Sequence, residues 1–380
     1  MWKKVILVGV ALVVTYHFWS VSGRMVESNS SKTHEQLLSI EMVQQGTNVG
    51  KGNLVGIQPY LTAREYSTES QLFSVLNAYM QRLQQAGGIG DKTIVVFPEY
   101  IGTWLVAMHE KHALYEKSTL TEAMTLMTLS NLVKVGYCAI TAPSGYDRLV
   151  HGLFTYKSDK VCQAYQRIFS RLASKYACTI VAGSVVLPEP FLENGKLFIQ
   201  KGRLFNTTAV FDANGKIMSP LVKKIFPIRA EQGFTCQADL QQTPVFHTPA
   251  GRLAVLICAD SWYPQAYESL TGKADLMAVP SLADTDSIWQ SAWQGYNGFS
   301  APADVDTRDY YRISEGEAWA KYSMGKRAPR VGIRQGINVF FTGQLWDMHP
   351  EGRVLILQND SLLVLPPALG KGRIVNMWLQ

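Results

Sequence analysis

The chain has 380 residues, of which 47% are hydrophobic and 17% are charged, which indicates a globular protein with a large core in one large domain or two ordinary ones. The formal net charge is +6. Without Lys3, Lys4 and Arg24, the 36 basic residues fall to 33 against 30 acidic ones, so the remainder is nearly balanced. The sequence has no basic block and no interleaving of basic and aromatic residues, which argues against a nucleic-acid partner.

The N-terminus has the pattern of a membrane-targeting segment. Lys3 and Lys4 precede an uncharged apolar run that begins at Val5 and continues to Gly23. Basic residues before such a run are typical of an export signal whose N-terminus stays inside the cell. A helix from Val5 to Val21 would span roughly 25 Å, close to the thickness of a hydrocarbon core. We therefore expect a signal-anchor helix in residues 1–23, with the catalytic domain outside the cytoplasm, on the periplasmic or extracellular face.

Two other interpretations of this segment are open. Ser20-Val21-Ser22 is a small-x-small sequence that a signal peptidase could cleave, which would give a secreted protein. Against cleavage, Tyr16, Phe18 and Trp19 fit an interfacial aromatic belt better than a cleavage region. A buried core helix is the least favoured interpretation because the segment is terminal and follows paired lysines.

The segment after the N-terminal helix is polar and rich in Gly, Ser and Gln, and it predicts a tether over residues 24–52, with a short helix over Glu35–Val43. We find no internal repeat and no clear second boundary. The remainder, residues 53–380, is therefore expected to form one domain.

The first elements of this domain predict a layered α/β fold. Residues 53–58 read as a strand, 67–85 as a helix with one apolar stripe, and 93–97 as a second strand. Strand, helix and strand in this order imply a parallel pair joined by a crossover helix.

Later segments add helices over Thr121–Val135 and Val161–Tyr176 and a hairpin at Asn214-Gly215. The first of these helices is Met- and Leu-rich. An ordinary packed helix is favoured there over one that lies above the site or on a membrane surface. Residues 295–327 show no clear period and look inserted. Further strands are expected at residues 178–183, 253–257, 275–280, 337–341 and 353–357.

Three apolar strands are each followed by a chemically reactive residue: Glu99, a lysine of Lys223-Lys224, and Cys258. Strand ends gather along one edge of an α/β domain, where sites form. A carboxylate there can take the thiol proton, and an ammonium can lower the thiol pKa and stabilise an oxyanion. The Ala259 backbone N–H is placed to be a second oxyanion donor. The pattern predicts acyl transfer from a carbon–nitrogen bond through a thioester.

The cysteines do not form a metal motif. The sequence has five, at scattered spacing, without C-x-x-C and without a zinc-type Cys/His pairing. We expect no metal and no cofactor. A disulfide among Cys138, Cys162, Cys178 and Cys236 stays open, and a nucleophile at Cys258 requires that thiol to be unpaired.

Three motifs together resemble the carbon–nitrogen hydrolase (nitrilase) superfamily. They are Val96-Phe97-Pro98-Glu99, then Lys224 with Glu231 seven residues on, then Ile257-Cys258-Ala259-Asp260. Each motif alone is weak, but the three in this order are specific. The resemblance covers the chain from about Asn53 to the C-terminus.

The resemblance implies an α/β fold with a four-layer α-β-β-α sandwich, an amidase-like activity and a homodimer formed through the helical layers. It implies Glu99 as general base and acid, a lysine as oxyanion stabiliser and Cys258 as nucleophile. Glu231 resembles a second glutamate that positions the substrate or the lysine, and its spacing favours Lys224 over Lys223. Tyr100, Ala259 and Trp262 are expected to support the site or position the substrate.

Several alternatives stay open from the sequence. The acyl-enzyme could pass its acyl group to an amine, as an N-acyltransferase does, and the amide substrate is unidentified. A cysteine protease would pair Cys258 with a histidine such as His247. A membrane-tethered binding module or pseudoenzyme is a third class. One aromatic set could line a substrate pocket or pack in the core; it comprises Trp262, Tyr263, Trp289, Trp293 and Tyr296.

Overall fold

The computed structural model describes residues 2–26, 40–240, 243–284, 287–368 and 370–380. Strands in this part of the chain form two large sheets and two small two-stranded ones. In chain order the strands are β1 (Glu41–Gln45), β2 (Asn53–Gln58), β3 (Tyr60–Thr62), β4 (Thr93–Val96), β5 (Thr179–Val181), β6 (Val185–Pro188), β7 (Phe191–Glu193), β8 (Lys196–Phe198), β9 (Leu204–Phe211), β10 (Ile217–Lys223), β11 (Val245–Thr248), β12 (Gly251–Val255), β13 (Leu276–Ser281), β14 (Gln335–Phe340), β15 (Thr342–Gln344), β16 (Leu355–Gln358), β17 (Ser361–Val364) and β18 (Arg373–Trp378).

The α-helices vary widely in length, from one turn to eight. In chain order they are α1 (Trp2–Val21), α2 (Glu69–Gln85), α3 (Leu120–Ser130), α4 (Leu132–Ala139), α5 (Arg148–Tyr176), α6 (Arg229–Gln232), α7 (Glu315–Tyr322) and α8 (Met324–Arg327).

The first large sheet has eight strands in the order β1-β18-β2-β4-β5-β9-β10, with β6 also paired to β9. Its central strands β2, β4 and β5 are parallel, and the crossovers between them carry α2 and then α5. The predicted strand–helix–strand unit is therefore confirmed. The second large sheet has six strands in the order β11-β12-β13-β14-β16-β17, with β12, β13 and β14 parallel.

The two large sheets face each other, as the side chains of β2 show. Successive side chains of a strand point to opposite faces of its sheet. On β2, Val55 and Ile57 belong to the core shared with α2 and α5. Gly56 instead lies against Ile337 and Val339 of β14 in the opposite sheet. Helices α7 and α8, with several short 3₁₀ turns, cover the outer face of the second sheet. The layers run helix, sheet, sheet, helix, which confirms the predicted four-layer α/β sandwich.

The predicted tether over residues 24–52 is wrong at residues 41–45. Residues 41–45 form β1, which pairs in parallel with β18 at the edge of the eight-stranded sheet. The short helix predicted over Glu35–Val43 is wrong at residues 41–43, and residues 35–39 lie outside the described ranges. The edge strand buries little apolar surface, so its sequence carries no alternating pattern. Long-range pairing with β18 decides its conformation.

Two helix boundaries also differ from the sequence-based expectation. The helix predicted over Val161–Tyr176 begins 13 residues earlier, at Arg148, where the Asp147 carboxylate accepts hydrogen bonds from two N–H groups of the first turn. The helix predicted over Thr121–Val135 is divided at Asn131 into α3 and α4. The hairpin predicted at Asn214-Gly215 is confirmed by the antiparallel pair β9–β10.

Helix α1 has the properties of a membrane span. It is 20 residues long, its most apolar window has a mean hydropathy of 1.7, and most of its surface is exposed. It is long and apolar enough to cross a bilayer or to serve as a signal sequence.

Candidate active site

Glu99 occupies a fixed position just beyond β4. The Phe97 N–H donates to the Val181 carbonyl at 2.9 Å, which prolongs the β4–β5 ladder beyond Val96. The next residue, Tyr100, has a left-handed backbone with φ 62°, and its N–H donates to Ser184 Oγ at 2.8 Å. The Glu99 side chain is buried, so its carboxylate is held in place away from bulk water.

Lys224 follows β10 and lies between two carboxylates. Its Nζ is 2.7 Å from Glu99 Oε1 and 2.7 Å from Glu231 Oε2. The neighbouring Lys223 points elsewhere, with its Nζ 4.5 Å from the centre of the Phe205 ring. Alternation at the end of a strand explains this difference, since adjacent side chains leave it in opposite directions. Lys224, and not Lys223, joins the charged cluster.

Glu231, in the one-turn helix α6, is held by neighbours on three sides. Its Oε2 accepts the Ile228 N–H at 2.9 Å. Its Oε1 accepts the Tyr100 hydroxyl at 2.5 Å and Asn206 Nδ2 at 3.1 Å. A carboxylate with this many donors is a rigid support for the ammonium of Lys224.

Asn206 is a member of this cluster that sequence reasoning did not single out as a site residue. Its Nδ2 donates to Glu99 at 2.9 Å as well as to Glu231, and it therefore bridges the two carboxylates. Its carbonyl accepts the Lys224 N–H at 2.8 Å. A buried amide in a fully buried strand is a signal that could have identified it, because such a group requires partners.

Cys258 lies where the chain leaves β12 and enters a 3₁₀ turn, Cys258–Trp262. It has a left-handed backbone with φ 49°, which is uncommon for a residue with a side chain and typical of strained functional positions. Its Sγ is 3.7 Å from the Leu282 carbonyl. The Glu99 carboxylate is near enough to the thiol that, besides burial, its charge raises the pKa of Cys258, an effect that Lys224 opposes. The nucleophile candidate and the base candidate are therefore neighbours.

Asp260 ties the loop after Lys224 to the cysteine turn. Its Oδ1 accepts the N–H groups of Ile225 at 3.0 Å and Phe226 at 2.7 Å. Its Oδ2 accepts the more distant Ile257 N–H at 3.4 Å. Burial raises the pKa of Asp260 to about 7, although these donors and Lys224 oppose the shift.

The electrostatics divide the two glutamates into different roles. Burial raises the pKa of Glu99, an effect that Lys224 opposes and the nearby Glu231 charge reinforces. Glu231 is also buried, but Lys224 and its hydrogen-bond donors outweigh burial and lower its pKa. The site thus holds one firmly ionised carboxylate and one that gains a proton more readily, as acid–base catalysis requires.

The surroundings of Lys224 and Cys258 stabilise the ordinary protonation state of each side chain. Burial alone would lower the pKa of Lys224, but Glu231 and Glu99 together hold it well above its usual value. Burial raises the pKa of the Cys258 thiol well above its usual value, and the Glu99 charge adds to this. The resting site therefore contains an ammonium and a protonated thiol, and the thiol needs a base to react.

Ala259 directly follows Cys258 in the first turn of the 3₁₀ helix. The first N–H groups of a helix lack intrahelical acceptors. The Asp260 N–H uses the Ile257 carbonyl at 3.0 Å.

Trp262 packs into the outer layer of the protein, one turn beyond the cysteine. Its ring lies 4.8 Å from Trp319, 5.6 Å from Tyr296 and 6.0 Å from Trp293, and it is 6% exposed. The aromatic set that could have lined a pocket is packed core around Trp262. These ring contacts give Trp262 a packing role in the outer layer.

His247 is not near Cys258. It is exposed on β11 and pairs with Arg252 near the start of β12, so about six residues of extended chain, roughly 20 Å, separate it from the thiol. A His247–Cys258 pair of the protease type is therefore excluded by the fold. All five cysteines are free thiols.

A cavity of about 400 Å³ opens beside the site without reaching the thiol. Lys223, Phe205 and Asp260 are among the residues that line it. Glu99, Lys224, Glu231 and Cys258 are not.

The fold is similar to solved amidase structures. One is a double mutant of the amidase from Nesterenkonia sp. AN1 in complex with acrylamide, at TM-score 0.50 and 12% identity, covering 87% of this chain and 92% of that one. Another is a variant of the same amidase with the acetamide moiety of fluoroacetamide added covalently at the active-site cysteine, at TM-score 0.50 and 13% identity, covering 87% and 93%. At this identity the likeness concerns the fold.

Two comparisons rest on sequence. A citrullinase from Francisella tularensis subsp. tularensis is 28% identical over 142 residues, which are 34% of this chain and 46% of that protein, so the match spans about half of the relative. The model of the carbon–nitrogen hydrolase family matches residues 54–296, which is more than half of the chain. The chain belongs to the carbon–nitrogen hydrolase family of enzymes.

Proposed function

We propose that this protein is a thiol amidase that hydrolyses a small non-peptide amide through a thioester on Cys258. The observation that carries the proposal is the buried cluster in which the Lys224 ammonium lies 2.7 Å from Glu99 and from Glu231, beside the Cys258 thiol. Base, cation and nucleophile meet at one point, although they follow three different strands.

Acylation uses Glu99, Lys224 and Cys258. Glu99 takes the proton from Cys258 Sγ, and the sulfur forms a bond to the amide carbon. The carbonyl oxygen becomes an oxyanion that Lys224 and the Ala259 N–H stabilise. When the carbon–nitrogen bond breaks, Glu99 returns the proton to the nitrogen, and ammonia or an amine leaves while the thioester remains.

Deacylation reverses these roles. Glu99 takes a proton from water, the oxygen attacks the thioester carbon, and the proton returns to the sulfur as the carboxylic acid leaves. An amine in place of water would give N-acyl transfer through the same intermediate. Product analysis separates the two outcomes.

Glu231, Tyr100 and Asn206 act by positioning. Their hydrogen bonds to one another and to Glu99 hold the ammonium of Lys224 at the oxyanion position. Lys224 would otherwise be free to rotate, and a displacement of about 1 Å can lower a rate about 100-fold.

The proposal extends to location and assembly. Helix α1 anchors the chain in a membrane, the catalytic domain begins at β1 (Glu41–Gln45), and this domain lies outside the cytoplasm. Lys3 and Lys4 ahead of the apolar helix support this orientation, because basic residues stay on the cytoplasmic side. Homodimerisation through the helical layers, which the family resemblance implies, is part of the same proposal.

The test is mass spectrometry of the full chain after incubation with a panel of amides that includes acetamide, acrylamide and fluoroacetamide. We expect an acyl or alkyl adduct on the peptide that contains Cys258, and release of ammonia from the substrates that turn over. Cys258→Ala should abolish both. Glu99→Gln and Lys224→Ala should each lower turnover by at least 100-fold, because each removes a group that acts in the transition state.

Lys223→Ala is the matched control, since Lys223 is adjacent in sequence but outside the cluster. It should keep turnover within a few-fold of the unmodified protein. An adduct on another cysteine, or full activity of Cys258→Ala, would refute the proposal.

A further inference from the structure

Helices α3 and α4 carry a band of apolar side chains that the fold leaves uncovered. Lys134 is the only charged residue between Ala123 and Tyr146. Exposed apolar residues are ordinary when scattered, but a contiguous group marks an interaction surface. We name the following group the apolar band: Leu129 (45% exposed), Leu132 (46%), Val133 (73%), Tyr137 (67%) and Ile140 (78%).

The opposite face of α4 is packed against the domain. Val135 is fully buried, and Gly152 of α5 lies so close that a Cβ there would be 2.6 Å from the Val135 carbonyl and 2.8 Å from the Ala139 N–H. The helix is thus fixed with one apolar face inside and another outside. Its exposed face is not a frayed end of the structure.

The apolar band adjoins the candidate membrane helix. The Tyr16 hydroxyl of α1 donates to the Leu129 carbonyl at 3.0 Å and accepts the Leu132 N–H at 3.1 Å. These bonds join the last turns of α1 to the α3–α4 junction, where the apolar band begins.

Hydrogen bonds and an ion pair fix the end of α1 to the domain. Lys111 Nζ donates to the Trp19 and Ser22 carbonyls at the end of the helix. Arg24 then pairs with Glu110 at 3.1 Å. The two regions therefore keep a set orientation, and α1 determines how the apolar band meets a bilayer.

The dimensions place the apolar band at the membrane interface. The uncharged part of α1, Val5–Val21, is roughly 25 Å long, close to the thickness of a hydrocarbon core. Tyr16 lies five residues before the end at Val21, so it would sit roughly 7 Å below the surface of that core. Amphipathic helices that lie in an interface are buried about 5–10 Å, and the α3–α4 junction is at the level of Tyr16.

We propose that the apolar band is a second membrane contact that lies in the lipid interface beside α1 and holds the catalytic domain against the bilayer. The occupant of this surface is lipid, because the apolar band is continuous with a helix whose own surface fits a hydrocarbon core. The inference rests on the membrane anchoring in the proposed function, but not on the chemistry at Cys258.

The contact also approaches the active site. The segment that continues from α4 is attached to the loop after Glu231, since the Asp147 N–H donates to the Gly233 carbonyl at 2.8 Å. Phe154 and Phe234 stack at 5.6 Å nearby. The loop after Glu231 is therefore joined to the segment that continues from the membrane contact.

The test is photolabelling of the full chain in lipid nanodiscs that contain phosphatidylcholine with a diazirine in its acyl chain. Intact mass first verifies that α1 is present. We expect lipid adducts on α1 and on the peptide that covers residues 129–140. The triple variant Val133→Glu, Tyr137→Glu, Ile140→Glu should reduce adducts on that peptide at least fivefold and leave those on α1 unchanged.

Leu363→Glu is the matched control, because Leu363 is 42% exposed on β17 and outside the apolar band. It should change neither set of adducts, and both variants should keep the near-ultraviolet circular dichroism of the unmodified protein. Labelling of α1 without labelling of residues 129–140 would overturn the proposal. Purification of a chain that lacks α1 would also overturn it. A dimer in which residues 129–140 cross-link to a second copy would do the same. Loss of the Cys258 adduct would overturn the proposed chemistry alone.

Discussion

Glu99 has to be ionised to accept a proton and has to bind that proton firmly enough to deliver it to a leaving nitrogen. Its environment provides both, because burial and the charge of Glu231 raise its pKa while Lys224 opposes the rise. A general base is most effective when its pKa lies near the working pH. The raised pKa is the physical property that distinguishes Glu99 from an ordinary surface glutamate.

The pH dependence of turnover should follow this shift. The thiol proton can move to Glu99 only above the pKa of the carboxyl, so kcat/KM should fall as pH falls through it. Because that pKa is raised above the ordinary 4.5, the acidic limb of the plot of kcat/KM against pH should lie above pH 4.5. The measurement is ammonia release from an active amide between pH 4 and 8.

Glu231→Gln tests the cause of the shift. Removal of the neighbouring negative charge should move the acidic limb to lower pH and lower kcat, because Lys224 loses one partner. The exposed Glu116 is the control, and Glu116→Gln should leave the limb in place. A limb at or below pH 4.5 in the unmodified enzyme would contradict the assignment of Glu99 as the base.

At the scale of secondary-structure elements, a second buried charge cluster connects parts of the chain that are far apart in sequence. Glu110 is fully buried. It pairs with Lys157 of α5 at 2.7 Å and with Arg24, just after α1, at 3.1 Å. Asn131, between α3 and α4, donates to it at 3.0 Å. One carboxylate therefore joins four elements.

Glu110→Gln should destabilise the fold by about 3 kcal/mol, because loss of one partner leaves a buried ammonium at Lys157 without its counter-charge. The measurement is urea unfolding followed by tryptophan fluorescence in nanodiscs. Limited proteolysis should also cut the segment after α1 faster, since Arg24 loses its ion pair.

Glu116→Gln again provides the comparison. Its carboxylate pairs with Arg64 at 3.0 Å, but both side chains are about half exposed, so the loss should stay below about 1 kcal/mol. Equal effects of the two substitutions would show that the Glu110 cluster contributes no more than a surface ion pair.

At the scale of the whole molecule, the sandwich depends on close contact between its two sheets. Gly56 of β2 faces the second sheet, and a Cβ at this position would lie 2.8 Å from Ile337 Cδ1 and 2.8 Å from Val339 Cγ2. A side chain here can be accommodated only if the sheets separate or the neighbours leave their preferred rotamers.

Gly56→Val should therefore lower the free energy of unfolding by about 1–3 kcal/mol, the usual cost of overpacking a core. Gly90→Val, in a loop where no atom lies within 4 Å of the added Cβ, should have a much smaller effect. Denaturant unfolding of both variants gives the comparison. A Gly56→Val protein as stable as the parent would mean that the sheets are not in firm contact at β2.

The sequence by itself determined the fold class and the motifs from which the site is built. Apolar strands that end at Glu99, near Lys224 and at Cys258 predict that these groups gather at one edge, because a layered α/β fold brings strand ends together. Their pattern was sufficient for the family and for an amidase-like reaction. Such signals are local, because the period of a strand, the residues of a turn and the spacing within a motif are each visible in a short stretch of sequence.

Tertiary structure decided what depends on contacts between distant segments. It placed Lys224 rather than Lys223 between the carboxylates, made Asn206 the bridge between Glu99 and Glu231, and packed Trp262 among other rings. It also turned residues 41–45 into an edge strand and left the apolar band of α3 and α4 uncovered beside α1. Strand direction, cross-strand register and burial settle these points, and none of them exists until segments that are separated in sequence come into contact.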